Sequence, residues 1–139
     1  ILDESMLAES RAHGADLALL MVSVLGDRTA EMAALARKRA LEPLVEVHDE
    51  AELEVAAAAG ARLIGINNRD LRTLSVDLAV SIRLLPRVPP GSVPVVESGI
   101  SRPAQVRRLR ALGARLFLVG ETLVTSADPA DTIRRFMGK

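Results

Sequence analysis

Apolar residues gather in five short unbroken runs, at 17–22, 44–47, 63–66, 93–96 and 116–119, separated by longer stretches of mixed polarity. The runs are apolar throughout instead of at every second residue, which predicts strands of a parallel sheet covered by helices. Six intervening segments have helical spacing: 3–13, 29–39, 50–59, 77–85, 103–112 and 128–137. Several carry start signals, with Asp49 before Glu50 and Glu52, Ser101 two residues before Pro103, and Asp128 before Pro129. Three of the helices run into Gly-Ala ahead of the next strand, at Gly14, Gly60 and Gly113. Glycine there is read as a helix stop in the left-handed conformation.

Strand, helix and strand in regular succession predict an α/β fold with right-handed crossovers in a single domain, 1–139. Five parallel strands can curl into most of a barrel or lie as an open doubly wound sheet, and patterning alone does not separate the two.

The carboxyl ends of four runs deliver polar or glycine residues. Glu46 and His48 end the second, and Asn67, Asn68, Arg69 and Asp70 follow the third. Glu97-Ser98-Gly99 ends the fourth, and Gly120-Glu121-Thr122 the fifth. Glu46 alternates with Val45 and Val47, so it faces a polar interior or a cation, because burying a carboxylate unpaired is costly. Asn67 and Arg69 share one side if strand geometry persists past Ile66. The amide can fix a substrate hydroxyl or carboxylate, and the guanidinium can hold a carboxylate by two bonds. The plainer reading is a loop satisfying its own backbone through Asn68 and Asp70. Glu97 is a second carboxylate that can act on a substrate beside Glu46, or a strand-end partner for Arg69 or Arg102. Gly99, Gly120 and Glu121 can present backbone N–H groups to a phosphate, with the Glu121 carboxylate turned away. His48 and His13 are read as structural, His48 through a hydrogen bond beside the Asp49 cap and His13 at a helix end. The two histidines stand far apart with no thiols between them, so no metal site is expected.

EVHDEAEL (46–53), GINNRDL (65–71), VVESGI (95–100) and LVGETL (118–123), in that order and spacing, resemble indole-3-glycerol phosphate synthase. The resemblance implies an incomplete (βα)8 TIM barrel, with five parallel strands as units four to eight. It implies a lyase of tryptophan biosynthesis that closes the ring of 1-(2-carboxyphenylamino)-1-deoxyribulose 5-phosphate with loss of CO2 and water, using no cofactor. By that resemblance Glu46 is the general base, Asn67 and Glu97 are catalytic, and Arg69 and Ser98 bind substrate. The family also carries a Glu and a Lys on its first strand region and a Lys at the end of its third strand. Neither lysine here, Lys38 within a helix or Lys139 at the last position, replaces them. The chain by itself is therefore expected to be inactive, and to self-associate or pair with a complementing amino-terminal barrel fragment. Two other readings stand beside this one: a phosphate-binding barrel of sugar-phosphate isomerase or aldolase type, and a non-catalytic half-barrel that serves as an assembly partner.

Composition narrows the partners. With 139 residues, 49% of them hydrophobic, the chain can bury a real core, yet a full barrel needs about 250. Its opening at Ile1, already in a helix that leads to a strand, is read as an internal start. The formal net charge is zero, so no charge excess favours nucleic acid or an anionic membrane, and a phosphorylated small molecule must be held locally. Cysteine is absent, which excludes disulfides and fits a cytoplasmic setting. No apolar stretch approaches the roughly 18 residues of a membrane span.

Overall fold

The computed structural model describes residues 1–139. Five parallel strands, β1 (Leu17–Met21), β2 (Glu42–Val47), β3 (Leu63–Asn67), β4 (Val93–Glu97) and β5 (Leu116–Leu118), form one sheet in sequential order. The strands follow one another without reversal, whereas a doubly wound sheet reverses its order at a switch point. The sheet is therefore the wall of an incomplete barrel.

Alternation along each strand sorts its two faces. Ala18, Leu20, Val45, Val47, Ile64, Ile66 and Val96 are buried on the helix side. The opposite face carries Leu44 and Glu46 from β2, Leu63, Gly65 and Asn67 from β3, and Val93, Val95 and Glu97 from β4, aligned by register. On the two outer strands this inner face is open: Leu17, Leu19, Leu116 and Leu118 stand 39 to 51% exposed. Unbroken apolar runs predicted cover on both faces, and the helices supply it on one.

The covering helices are α1 (Glu4–Ala12), α2 (Val22–Leu25), α3 (Thr29–Lys38), α4 (Glu50–Ala58), α5 (Ala79–Leu84), α6 (Pro103–Ala111), α7 (Glu121–Val124) and α8 (Pro129–Met137). None is long and apolar enough to cross a membrane. The first strand ends one residue before its apolar run does, since Val22 turns into α2 and is buried there with Leu25. The fourth expected helix is shorter than 77–85: the Asp77 side chain accepts from the Ala79 N–H, and a 3₁₀ turn at Leu85–Arg87 carries Pro86. Asp49 and Asp128 cap α4 and α8 by accepting from the N–H of Glu52 and Asp131. Ser101 does not cap α6. Instead, Gln105 Oε1 accepts from the N–H groups of Ser101 and Arg102.

The expected stops at Gly14, Gly60 and Gly113 all have positive φ. Each closes its helix with a pair of backbone bonds, as at Gly60, where Gly60 N–H donates to Ala57 O and Ala61 N–H to Ala56 O. The end of α3 uses the same pair of bonds, Ala40 to Arg37 and Leu41 to Ala36, but with alanine at φ 56°.

Candidate active site

Glu46 and Glu97 stand two strands apart, yet their side chains meet. Gly65 lies between them on β3, paired with Glu46 on one side and Val95 on the other. A Cβ at that position would collide with Glu97 Oε1 and lie 3.1 Å from its Cδ. The missing side chain is what lets Glu97 reach over β3 towards Glu46. Both carboxylates are buried, at 7% and 3% exposure, and no cation faces Glu97 within salt-bridge range. Burial, then the charge of Glu46 and a side-chain hydrogen bond with it, push the Glu97 carboxyl up to about 8. At neutral pH, Glu97 thus keeps its proton, a carboxyl held neutral beside a second one as in the paired carboxyls of catalytic sites.

Asn67 ends β3 on the same inner face, paired in register with Glu97, and its Oδ1 accepts from the Arg69 N–H. Arg69 turns away from Glu46. Its guanidinium donates to Leu74 O and, at 3.0 Å, to Glu121 Oε2. That ion pair joins the loop after β3 to the loop after β5 and gives the Glu121 side chain a definite partner. Asn68 satisfies neighbouring elements more than its own loop. Its Nδ2 donates to the carbonyls of Glu97 and Ser98, while its Oδ1 accepts from the backbone N–H and the hydroxyl of Ser81 on α5. Asp70 does serve its own loop, accepting from the N–H groups of Arg72 and Thr73.

The clamp made by Asn68 holds an unusual turn. Ser98 has φ 64° and Gly99 follows at φ 78°, two consecutive left-handed residues directly after Glu97. A side chain at Gly99 would press on Val76 Cγ1 at 2.5 Å. The Thr122 hydroxyl donates to Ile100 O at 2.6 Å and ties this turn to the one after β5. Together Arg69, Glu97, Ser98, Gly99, Gly120 and Glu121 line an open cleft of about 790 Å³. Backbone N–H groups of Gly99, Gly120 and Glu121 make no hydrogen bonds within the chain. A second cleft, of about 770 Å³, opens beside Asn67, His48 and Glu52.

His48 has the structural bond expected of it, and the partner is Glu52. Nδ1 lies 3.0 Å from Glu52 Oε2, which also accepts from the His48 backbone N–H. His13 Nδ1 meets Glu9 O at the end of α1. Sequence reasoning gave no role to Gly65 or Ser81, and gave Asn68 only a bond to its own loop. The only signal for Gly65 was a glycine at an inner-face position between Ile64 and Ile66. Nothing local pointed to the pairing of Asn68 with Ser81.

The arrangement has relatives. The family model for indole-3-glycerol phosphate synthase matches residues 1–136. The chain is 45% identical over 136 residues to indole-3-glycerol phosphate synthase of Dehalococcoides mccartyi strain BAV1, covering 97% of this chain and 52% of that protein. It is 46% identical over 139 residues to indole-3-glycerol phosphate synthase 2 of Streptomyces coelicolor, covering 99% of this chain and 54% of that one. The chain thus spans about half the length of the curated relatives it matches. Among solved structures, 3-hexulose-6-phosphate synthase from Salmonella typhimurium superposes with a TM-score of 0.81 at 20% identity, over 99% of this chain and 68% of that one. That likeness speaks for the barrel wall alone. Sequence match across nearly every residue, on a wall whose polar groups share one strand end, establishes that the chain belongs to the indole-3-glycerol phosphate synthase family.

Proposed function

We propose that these residues supply the base, the neutral acid partner and the phosphate cradle of an indole-3-glycerol phosphate synthase. The observation that carries the proposal is the buried pair of Glu46 and Glu97, brought together over Gly65 on the inner face that Asn67 shares. In the ring closure an aromatic carbon attacks the ketone of 1-(2-carboxyphenylamino)-1-deoxyribulose 5-phosphate, the ring carboxylate leaves as CO2, and a proton and hydroxyl are lost to form the indole. Glu46, beside a protonated Glu97, accepts the proton. Glu97 and the Asn67 amide hydrogen-bond substrate oxygens at the strand ends. Arg69 exchanges the exposed Glu121 carboxylate for that of the substrate, and Ser98 completes the polar floor. Free backbone N–H groups of Gly99, Gly120 and Glu121 hold the phosphate. A lysine acid is the contribution of the other barrel units, so the chain alone is inactive.

The open inner face and the unpaired edges of β1 and β5 favour association, either with another copy or with an amino-terminal barrel fragment. The test joins this chain to the first three strand-helix units of a family member and follows indole-3-glycerol phosphate formation. Activity that falls about 10²- to 10⁴-fold in Glu46→Gln supports the proposal. A joined barrel that folds but is inactive, or a Glu46→Gln form as active as the parent, refutes it.

A further inference from the structure

Asn68 uses every hydrogen-bonding group it has on neighbouring parts of the frame. Its N–H donates to Glu97 O at 3.0 Å, and its carbonyl accepts from the Asp77 N–H at 2.9 Å. In the side chain, Oδ1 accepts from the Ser81 N–H at 3.1 Å and from the Ser81 hydroxyl at 2.8 Å. Nδ2 donates to Glu97 O at 2.9 Å and to Ser98 O at 3.1 Å. The two ends of this amide cannot be exchanged, because a backbone N–H only donates and a backbone carbonyl only accepts. Ser81 therefore fixes which way the amide points, from a fully buried place as the third residue of α5.

Leu78, ahead of the helix, supplies no side-chain cap, so Asn68 Oδ1 caps α5 in its stead. Oδ1 alone meets that need, and Glu97 O by itself would satisfy Nδ2. The contact with Ser98 O is the one that reaches into the left-handed turn. Every peptide bond in the chain is trans, and in a trans peptide the N–H points opposite to the carbonyl before it. With the Glu97 and Ser98 carbonyls both drawn to Asn68, the N–H groups of Ser98 and Gly99 both point away from it. On that far side lies β5, whose Leu118 pairs in register with Glu97, and the cleft that Gly120 and Glu121 also line. Neither N–H is bonded within the chain. Ser81 lines neither cleft and Asn68 only the second, so neither side chain lines the cleft at these turns.

We propose that Ser81, acting through Asn68, is a positioning residue for anion binding. It fixes the amide that pins two successive carbonyls, and the pinned carbonyls aim the Ser98 and Gly99 N–H groups at the cleft. That the anion is the substrate's phosphate rests on the proposed function, whereas the aiming of the donors does not. A helix residue outside the site thus governs affinity at the turn after β4.

The experiment is an amide NMR titration of the 139-residue chain with inorganic phosphate, in parent, Asn68→Ala and Ser81→Ala forms. The Ser98 φ is read from its HN–Hα coupling before phosphate is added. Asn68→Ala releases both carbonyls, so Ser98 is expected to leave the left-handed region and phosphate affinity to fall about 10-fold. Shifts at Ser98 and Gly99 shrink, while those at Gly120 and Glu121 persist at the weaker affinity. Ser81→Ala leaves the Ser81 N–H on Asn68 Oδ1, so no buried group is orphaned. It serves if Asn68→Ala does not fold, with a partial change in Ser98 φ and an affinity loss of about threefold. A Ser98 φ at its parent value in whichever variants fold overturns the inference, and so does a relaxed turn that binds phosphate as the parent does. In the joined barrel, Ser81→Ala is expected to raise KM about threefold with kcat little changed, because these donors hold phosphate alike before and during reaction. A lowered kcat at unchanged KM would overturn the assignment to binding. A turn that relaxes in the variants of a parent that binds no phosphate supports the aiming by Ser81 and refutes the phosphate cradle, so the two fail separately.

Discussion

Replacing Glu97 with Gln makes the neutral neighbour of Glu46 permanent, because an amide does not ionise as the carboxyl does. In the unfolded chain the Glu97 carboxyl ionises near its ordinary 4.5, whereas in the folded chain it holds its proton to about 8. Between those values the folded state binds the extra proton. This contribution to stability is therefore greatest below pH 4.5, falls as the pH rises, and is gone above about 8. Taken in full, such a difference is worth roughly 5 kcal/mol. Solvent entering from the open inner face screens part of it, and about 2 kcal/mol is the expected effect. Urea unfolding of parent and Glu97→Gln at pH 5, 7 and 9 measures it. The two forms are expected to be nearly equal at pH 5, with the variant more stable by about 2 kcal/mol at pH 9. A difference independent of pH, or a variant less stable at pH 9, would show that Glu97 does not carry the proton, and the division of roles with Glu46 would fail with it.

Two further outcomes follow from single positions. Gly65→Ala forces the Glu97 carboxylate off β3 and away from Glu46, so its NMR midpoint is expected to drop towards the ordinary value, and an unchanged midpoint would refute the bridging role of the bare backbone. Ala40→Gly relieves a left-handed alanine at an exposed helix stop and is expected to raise stability by about 0.5–1 kcal/mol in urea unfolding; a loss of stability would mean that φ 56° is not strained there.

The fold was legible where the signal was local. The Gly-Ala stops after α1, α4 and α6 marked three helix ends, and five apolar runs marked five strands. What patterning could not decide was whether the sheet curls or reverses, since each strand reads the same in both. The motif order decided it, and the sequential pairing of β1 to β5 shows the same choice physically. Val22 was assigned to a strand because it continues the apolar run, but burial against the core turns it into α2 instead. Glu46, Asn67, Glu97 and Gly99 were singled out by their place at the ends of apolar runs, a property the chain displays directly. Gly65, Ser81 and the long-range contacts of Asn68 were not, because their importance lies in what crosses them from another strand or helix.

The adjacent amides Asn67 and Asn68 show the physical basis of that difference. Successive residues on a strand face opposite ways, so two identical side chains meet opposite environments. Asn67 faces inward beside Glu97, with its Oδ1 accepting from the Arg69 N–H. Asn68 faces the helices, is 2% exposed, and spends both ends of its amide on Glu97, Ser98 and Ser81. A buried amide stripped of those partners would cost about 1–3 kcal/mol per orphaned group, so the contacts must form together. Their combined effect is to hold Ser98 in a left-handed conformation that a residue with a side chain seldom keeps, ahead of Gly99, which takes it freely. The second asparagine thus sets the turn of the proposed phosphate cradle, while the first lies on the inner face beside Glu97. Sequence shows an Asn-Asn pair, and only the two-residue period of the strand, fixed by the register of β3 against β4, places one on the inner face and the other among the helices.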